Sequence, residues 1–154
     1  MSYKELVLGC DNAAVGLMNE VRQYLDEQNI PYTYLGVKDD NDSTFYPLIA
    51  QKVAEEIIAS GYTKEGILIC GTGIGMSITA NKFEGIYAAV CHENYSAERA
   101  RLSNNANVLC MGARIIGPEL AKKVLAEWLK LEFKGGRSLP KVQEIMKIEE
   151  RLYK

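Results

Sequence analysis

The chain has no basic excess, a single histidine and no paired cysteines, and each scarcity removes a class of function. Eighteen Lys and Arg against twenty Asp and Glu leave a net charge of -2 over 154 residues. There is thus no global electrostatic footprint for nucleic acid or an anionic membrane, and any anion must be held by a local cluster. No window approaches the roughly 20 apolar residues of a membrane span. The opening MSYKELVLG has no basic stretch followed by a long apolar run, so a soluble, cytoplasmic protein is expected. Cys10, Cys70, Cys91 and Cys110 contain no C-x-x-C pair, and their spacing suits neither a disulfide framework nor a zinc knuckle. Reduced thiols are expected, with no metal and no cofactor: nothing in the spacing of Cys10, Cys70, Cys91 and His92 asks for one.

What is present fits an ordinary globular chain, 47% hydrophobic and 25% charged, so one domain over 1–154 is the expectation. Five short apolar runs, 5–10, 31–35, 66–70, 86–91 and 107–111, alternate with segments of helical periodicity. That alternation is the pattern of βαβ units around a five-stranded, Rossmann-like parallel sheet. Tyr46, Ile49, Val53 and Ile57 share one helical face, as do Leu120, Val124, Trp128 and Leu131. Pro118 suits the first turn of its helix, and Gly61 ends the helix before it. After Gly135, Gly136 and Pro140, the residues Val142, Ile145, Ile148 and Leu152 repeat on one face of a terminal helix. An apolar stripe placed after a complete βα set suits a second subunit, so a homodimer is expected ahead of a monomer.

Ligands of open parallel sheets bind beyond the carboxyl ends of the strands, and all four cysteines and Asp11 are expected at that edge. Three of the cysteines read as small buried hydrophobes. Cys70 differs, because the strand GILIC runs into Gly71, Thr72, Gly73 and Gly75 and then a helix. Such a loop aims backbone N–H groups at one point where the helix dipole favours negative charge. A thiol there can have its pKa lowered from ~8.5 towards neutrality, which makes a base able to take and return a proton. The loop combines a base with a cradle for an enediolate, the anion formed when a proton leaves the carbon beside a sugar carbonyl. A nucleotide phosphate is the other candidate anion. The spacing G-x-G-x-G departs from the dinucleotide fingerprint, although Glu93 lies about where a ribose-binding acid belongs. A glycine loop serving only tight helix–sheet packing is the plain alternative.

The motif CGTGIGMSITANK, with Gly9-Cys10-Asp11, Tyr46-Pro47, Tyr95-Ser96-Ala97, Asn107-Val108-Leu109, Gly112-Ala113-Arg114 and Gly135-Gly136-Arg137, resembles the ribose-5-phosphate isomerase type B and galactose-6-phosphate isomerase family along nearly the whole chain. The resemblance implies a three-layer α/β/α fold in metal-free dimers or tetramers with sites between subunits. It also implies Cys70 as base and Gly71, Thr72, Gly73 and Gly75 around the enediolate. Asp11 and Asn104 would meet sugar hydroxyls, and Arg114, Arg137 and Lys141 would hold the phosphate. Asn12 and Tyr46 are counted with these substrate-binding residues. Read without the family, Arg137 and Lys141 are a solvated surface pair four residues apart.

The departures from the family bear on substrate. Asn12 and Ser103 stand where type B members have histidines, Phe45 where they have aspartate, and Ser138 where a histidine often follows Gly-Gly-Arg. In that family such histidines are assigned to phosphate contact and to opening the sugar ring. A tetrose 4-phosphate cannot close a five-membered ring, because its O4 carries the phosphate, so it needs no ring-opening acid. The segment HENYSAERARLSNNAN and the TFYP and GRS patches resemble the subgroup that interconverts erythrulose 4-phosphate and erythrose 4-phosphate. Ribose 5-phosphate is the alternative substrate. The alternatives of another class are a non-catalytic nucleotide- or sugar-phosphate-binding module and a subunit inactive without a partner chain. His92 is expected to bond backbone groups in its loop rather than shuttle protons.

Overall fold

The computed structural model describes residues 3–154, which leaves the first two residues of the N-terminal segment outside the description. Five strands, Leu6–Cys10 (β1), Tyr32–Tyr34 (β2), Glu65–Cys70 (β3), Ala88–Val90 (β4) and Val108–Gly112 (β5), form one sheet in the order β2-β1-β3-β5-β4. Every pairing is parallel. The central strands β1, β3 and β5 are buried along their whole length. This is why they read as unbroken apolar runs rather than alternating ones: helices cover both faces of a parallel sheet. The helices are Val15–Glu27 (α1), Tyr46–Ala59 (α2), Ile74–Ala80 (α3), Asn94–Leu102 (α4), Pro118–Leu129 (α5) and Leu139–Leu152 (α6). Helix α2 packs on α3, while α1 and α4 pack on α5. Pro118 sits in the first turn of α5, where its missing N–H costs nothing, and Gly61 follows α2 with φ +69.

Register sets up the functional edge. Cys10 lies beside Ile69 and Cys70 beside Gly112, so β1, β3 and β5 end level and their following loops emerge together. Two expectations need correction. Cys110 is the middle residue of β5, fully buried between Leu68 and Val90, and so lies inside the sheet rather than at its edge. Leu120 is 39% exposed, and the buried face of α5 is instead Ala121, Val124, Leu125 and Trp128. The stripe is rotated by about one residue, so that Ala121 rather than Leu120 meets the core.

The opposite end of the sheet is stapled by a buried ion pair. Arg101 of α4 donates from Nη1 and Nη2 to the two Glu65 carboxylate oxygens at 2.7 and 2.9 Å. It also donates to the Trp128, Leu131 and Ala106 carbonyls, and its guanidinium stacks 3.8 Å from the Trp128 ring. With so many of its donors satisfied the pair tolerates burial, whereas deleting either partner strands a charge.

Helix α6 is held differently. Val142 is its one buried residue among those described. Past it, Glu149 accepts from the Tyr87 hydroxyl at 2.7 Å and from the Gly85 N–H at 3.2 Å, and the Tyr153 hydroxyl donates to the Lys82 carbonyl. The stripe read from the sequence splits in two. Val142 faces its own chain, while Ile145, Ile148 and Leu152 remain 44%, 45% and 75% exposed.

Candidate active site

The loop after β3 is built on one conformational requirement. Gly73 adopts φ +81, and a Cβ there would lie 3.0 Å from the Met111 backbone, so only glycine lets the chain turn into α3 at this point. The turn carries the Gly73 N–H to 3.1 Å from Cys70 Sγ. Gly73, expected among the enediolate contacts, thus spends its donor on the sulfur. The left-handed turn at Gly73 is what brings that N–H over the sulfur at the end of β3. The Thr72 hydroxyl oxygen accepts from the Ile74 N–H at 3.3 Å, which leaves its own O–H to donate. The loop after β5 is stitched alongside, with Ala113 N–H on the Cys70 carbonyl at 2.9 Å and Arg114 N–H on the Gly71 carbonyl at 3.0 Å. The Arg114 guanidinium is brought against Gly71, its Nη1 3.3 Å from where a side chain on Gly71 would begin. Tyr46, at the start of α2, lays its ring over Gly75 so closely that any side chain at 75 would displace it.

The four thiols separate by surroundings. Burial pushes Cys10 up to about 11 and Cys91 up to about 11, and it raises Cys110 as well. Desolvation disfavours each thiolate, so these three are inert at neutral pH. Cys10 exchanges a 3.3 Å hydrogen bond with the Tyr34 hydroxyl. Cys70 is itself only 5% exposed, yet it is the one of the four whose sulfur receives a backbone N–H among the described residues.

Asp11 follows β1 half-buried, its Oδ1 accepting from the Ala13 N–H at 3.1 Å, and Asn12 beside it is exposed. His92 accepts the Gly112 N–H on Nε2 at 2.8 Å, and burial lowers its pKa. It bonds backbone, as the sequence reading expects. The Glu93 carboxylate accepts from the Ser96 N–H at 2.9 Å as the cap of α4, and hydrogen bonding from the Ser96 hydroxyl first and its N–H second holds its pKa low. That occupies the acid on which a ribose-binding reading depends. Among the described residues no three of His, Cys, Asp and Glu gather as metal ligands.

The remaining site residues form a second cluster. Asn104, Arg137 and Lys141 line a cavity of about 360 Å³ together with Arg99, Ser103 and Ser138, over Val142 and Ile145. Cys70 and Arg114 are not in that lining. The structure therefore unites Cys70, its glycine loop, Tyr46 and Arg114 in one place and Asn104, Arg137 and Lys141 in another. Sequence reasoning missed Arg99. Its one signal was its position a helical turn before Ser103, which puts the two on a shared face of α4.

Three comparisons place this arrangement. The model of the family described as Ribose/Galactose Isomerase matches residues 6–145. A D-erythrulose-4-phosphate isomerase from Pectobacterium atrosepticum is 48% identical over 140 residues, covering 91% of each chain. A ribose-5-P isomerase B from Listeria innocua is also 48% identical, covering 96% of this chain and 98% of that one. Among solved structures, the ribose-5-phosphate isomerase B of Clostridium thermocellum superposes with a TM-score of 0.90 at 38% identity, over 96% of this chain and 99% of that one.

Proposed function

Because this chain belongs to the ribose/galactose isomerase family, we propose that it is an aldose–ketose isomerase of a small sugar phosphate, with Cys70 as the proton-transferring base. One observation carries the assignment of the base: the Cys70 sulfur, alone of the four, sits under a backbone N–H at the mouth of a glycine loop. In the ketose-to-aldose direction the Cys70 thiolate takes a proton from C1. The electrons form the C1–C2 double bond, and the C2 carbonyl becomes an enediolate oxygen. The Thr72 hydroxyl and the loop N–H groups of Gly71 and Gly75 stabilise that oxygen. A proton passes from O1 to O2, the thiol returns its proton to C2, and C1 is left as the aldehyde. Donors aimed at such an oxyanion contribute about 3–4 kcal/mol to the transition state.

Asp11, Asn12, Tyr46 and Asn104 orient the sugar, and Arg114, Arg137 and Lys141 hold the phosphate. The two clusters act together when a second copy of the chain packs on the exposed stripe of α6 and brings its Arg137 and Lys141 towards Cys70. The exposure of Ile145, Ile148 and Leu152 supports this homodimer, with or without further pairing to a tetramer. The reaction needs no cofactor, and the enzyme works in the cytoplasm. No helix of the described residues is long and apolar enough to cross a membrane.

Erythrulose 4-phosphate is the preferred substrate. The sole histidine has its Nε2 on the Gly112 N–H, and Asn12 and Ser103 stand where the family has histidines, which favours a substrate with no furanose ring to open. A tetrose 4-phosphate has no such ring to open. Ribose 5-phosphate competes as a reading, because the Listeria relative that carries that name is as similar as the tetrose enzyme. Side-by-side kinetics on the two sugars in deuterated water test both levels. Deuterium incorporation at C1 or C2 with higher kcat/KM for erythrulose 4-phosphate is the expected result. A preference for ribose 5-phosphate overturns the substrate, and absence of exchange with either sugar overturns the isomerase.

A further inference from the structure

The cavity beside α6 has a lining that an anion would explain. Three of its side chains, Arg99, Arg137 and Lys141, are cationic, and none of the others is a carboxylate. Neither Arg137 nor Lys141 makes an ion pair among the described residues. Like charges gathered over the apolar floor of Val142 and Ile145 repel one another, the more so because that floor lowers the local dielectric. The repulsion is relieved when an anion enters.

Arg99 is the member held most firmly. Its Nη1 donates to Ser103 Oγ at 3.2 Å, and its Nη2 donates to Glu98 Oε1 at 3.0 Å. Its Nε is buried with no acceptor. Glu98 on its own helix and Ser103, which caps that helix, therefore fix the plane of the guanidinium while the rest of its donors go unused. A planar, always-charged fork fixed in this way matches a phosphate group better than a free lysine does.

We infer that Arg99 is a third phosphate-binding residue, added to Arg137 and Lys141, and that Ser103 is the positioning residue that turns its guanidinium into the cavity. This rests on the isomerase reading above and deepens it. Arg99 acts on the terminal dianion of the substrate and takes no part in proton transfer. With three cations and no carboxylate in its lining, and with only Arg99 paired, to Glu98 outside that lining, the cavity selects a sugar carrying a doubly charged terminal group and rejects the unphosphorylated sugar.

The test is steady-state kinetics of the full chain with erythrulose 4-phosphate, with inorganic phosphate as a competitive inhibitor. In Arg99→Met, KM and the phosphate inhibition constant should both rise roughly 10-fold or more, since a charge-assisted contact to phosphate is lost. The value of kcat should stay within about threefold, because an interaction common to ground and transition states is removed. Arg99→Lys should recover part of the loss, and Ser103→Ala should show a smaller rise in the same two constants. Wild-type values of both constants in Arg99→Met overturn the proposal. Should that variant fail to fold, wild-type phosphate inhibition in both Arg99→Lys and Ser103→Ala overturns it equally. If the unmodified protein turns over no sugar phosphate, the isomerase reading is what fails. Calorimetric titration of inorganic phosphate into wild type and Arg99→Met then decides the Arg99 claim separately: weaker binding by the variant supports it, and equal binding overturns it.

Discussion

The loop after β3 and the tail from Gly135 to Leu152, to which the proposed function assigns the two halves of one reaction, are built by opposite means. The loop is self-contained. Cys70, Gly71, Gly73 and the segment after β5 are tied by backbone hydrogen bonds within one chain, over a strand with no exposed residue. The tail has one buried side chain, a few polar ties and an uncovered apolar stripe. On the proposed reading, proton transfer rests on a buried loop tied within one chain, while phosphate capture rests on a tail whose exposed apolar stripe a second copy would cover. Removing the thiol should have the largest effect and should leave the architecture alone. Cys70→Ala is expected to lower turnover by about 10²–10⁴-fold, the usual contribution of a positioned base, with an unchanged melting temperature. If that variant retains more than a tenth of wild-type turnover, the loop loses its role and the comparison with it.

The tail should fail in a different currency. Ile148→Asp combined with Leu152→Asp places charge on the exposed stripe away from the cationic cavity. It is expected to yield a folded monomer by sedimentation, with activity reduced on the order of 10-fold or more because the second cluster no longer meets the first. An active monomer would show that one chain completes the site. Arg137→Met should act more narrowly, raising KM by roughly 10-fold while the rate of Cys70 alkylation stays at its wild-type value. Glu149→Gln weakens the grip on Tyr87 and Gly85 and should cost about 1 kcal/mol locally. Hydrogen exchange should detect that loss as faster opening of α6 with no change in β3. Equal loosening of both regions would mean that the tail and the sheet unfold as one unit.

The same contrast governs how much was legible in the sequence. The unbroken runs ending in Cys10 and Cys70, and the glycines that follow Cys70, marked the strands, the edge and the glycine turn, because parallel strands and glycine turns leave local patterns. Cys110 misled, because a run of apolar residues does not reveal where its strand stops: β5 continues two residues further to Gly112. Leu120 misled because periodicity alone cannot distinguish a face centred on leucine from one centred on Ala121. The roles of Gly73 and Arg99 were hidden for a different reason. Each depends on a side chain meeting a donor or acceptor in three dimensions: the Gly73 N–H on the sulfur, and the guanidinium turned by Ser103. Spacing could place these groups near one another but could not orient them.

The smallest expected effect belongs to the loop side and concerns pH. His92 is partly buried, and its Nε2 accepts the Gly112 N–H, a bond that only neutral imidazole can make. Burial lowers its pKa below the value of about 6.5 that it takes in the unfolded chain. The unfolded state therefore binds the proton more readily. The contribution to stability is complete above the unfolded pKa and is lost as pH falls through it towards the folded value. Chemical denaturation from pH 8 down to pH 5 should show stability declining on the acid side, and His92→Gln should flatten part of that decline. Because Gly112 also pairs with Cys70 across β3 and β5, Cys70 alkylation in His92→Gln, measured at one pH where Cys70 is reactive, reports whether the His92 bond helps to set the sulfur's position. Unchanged alkylation would confine His92 to stability and leave the glycine loop as the element that prepares the base.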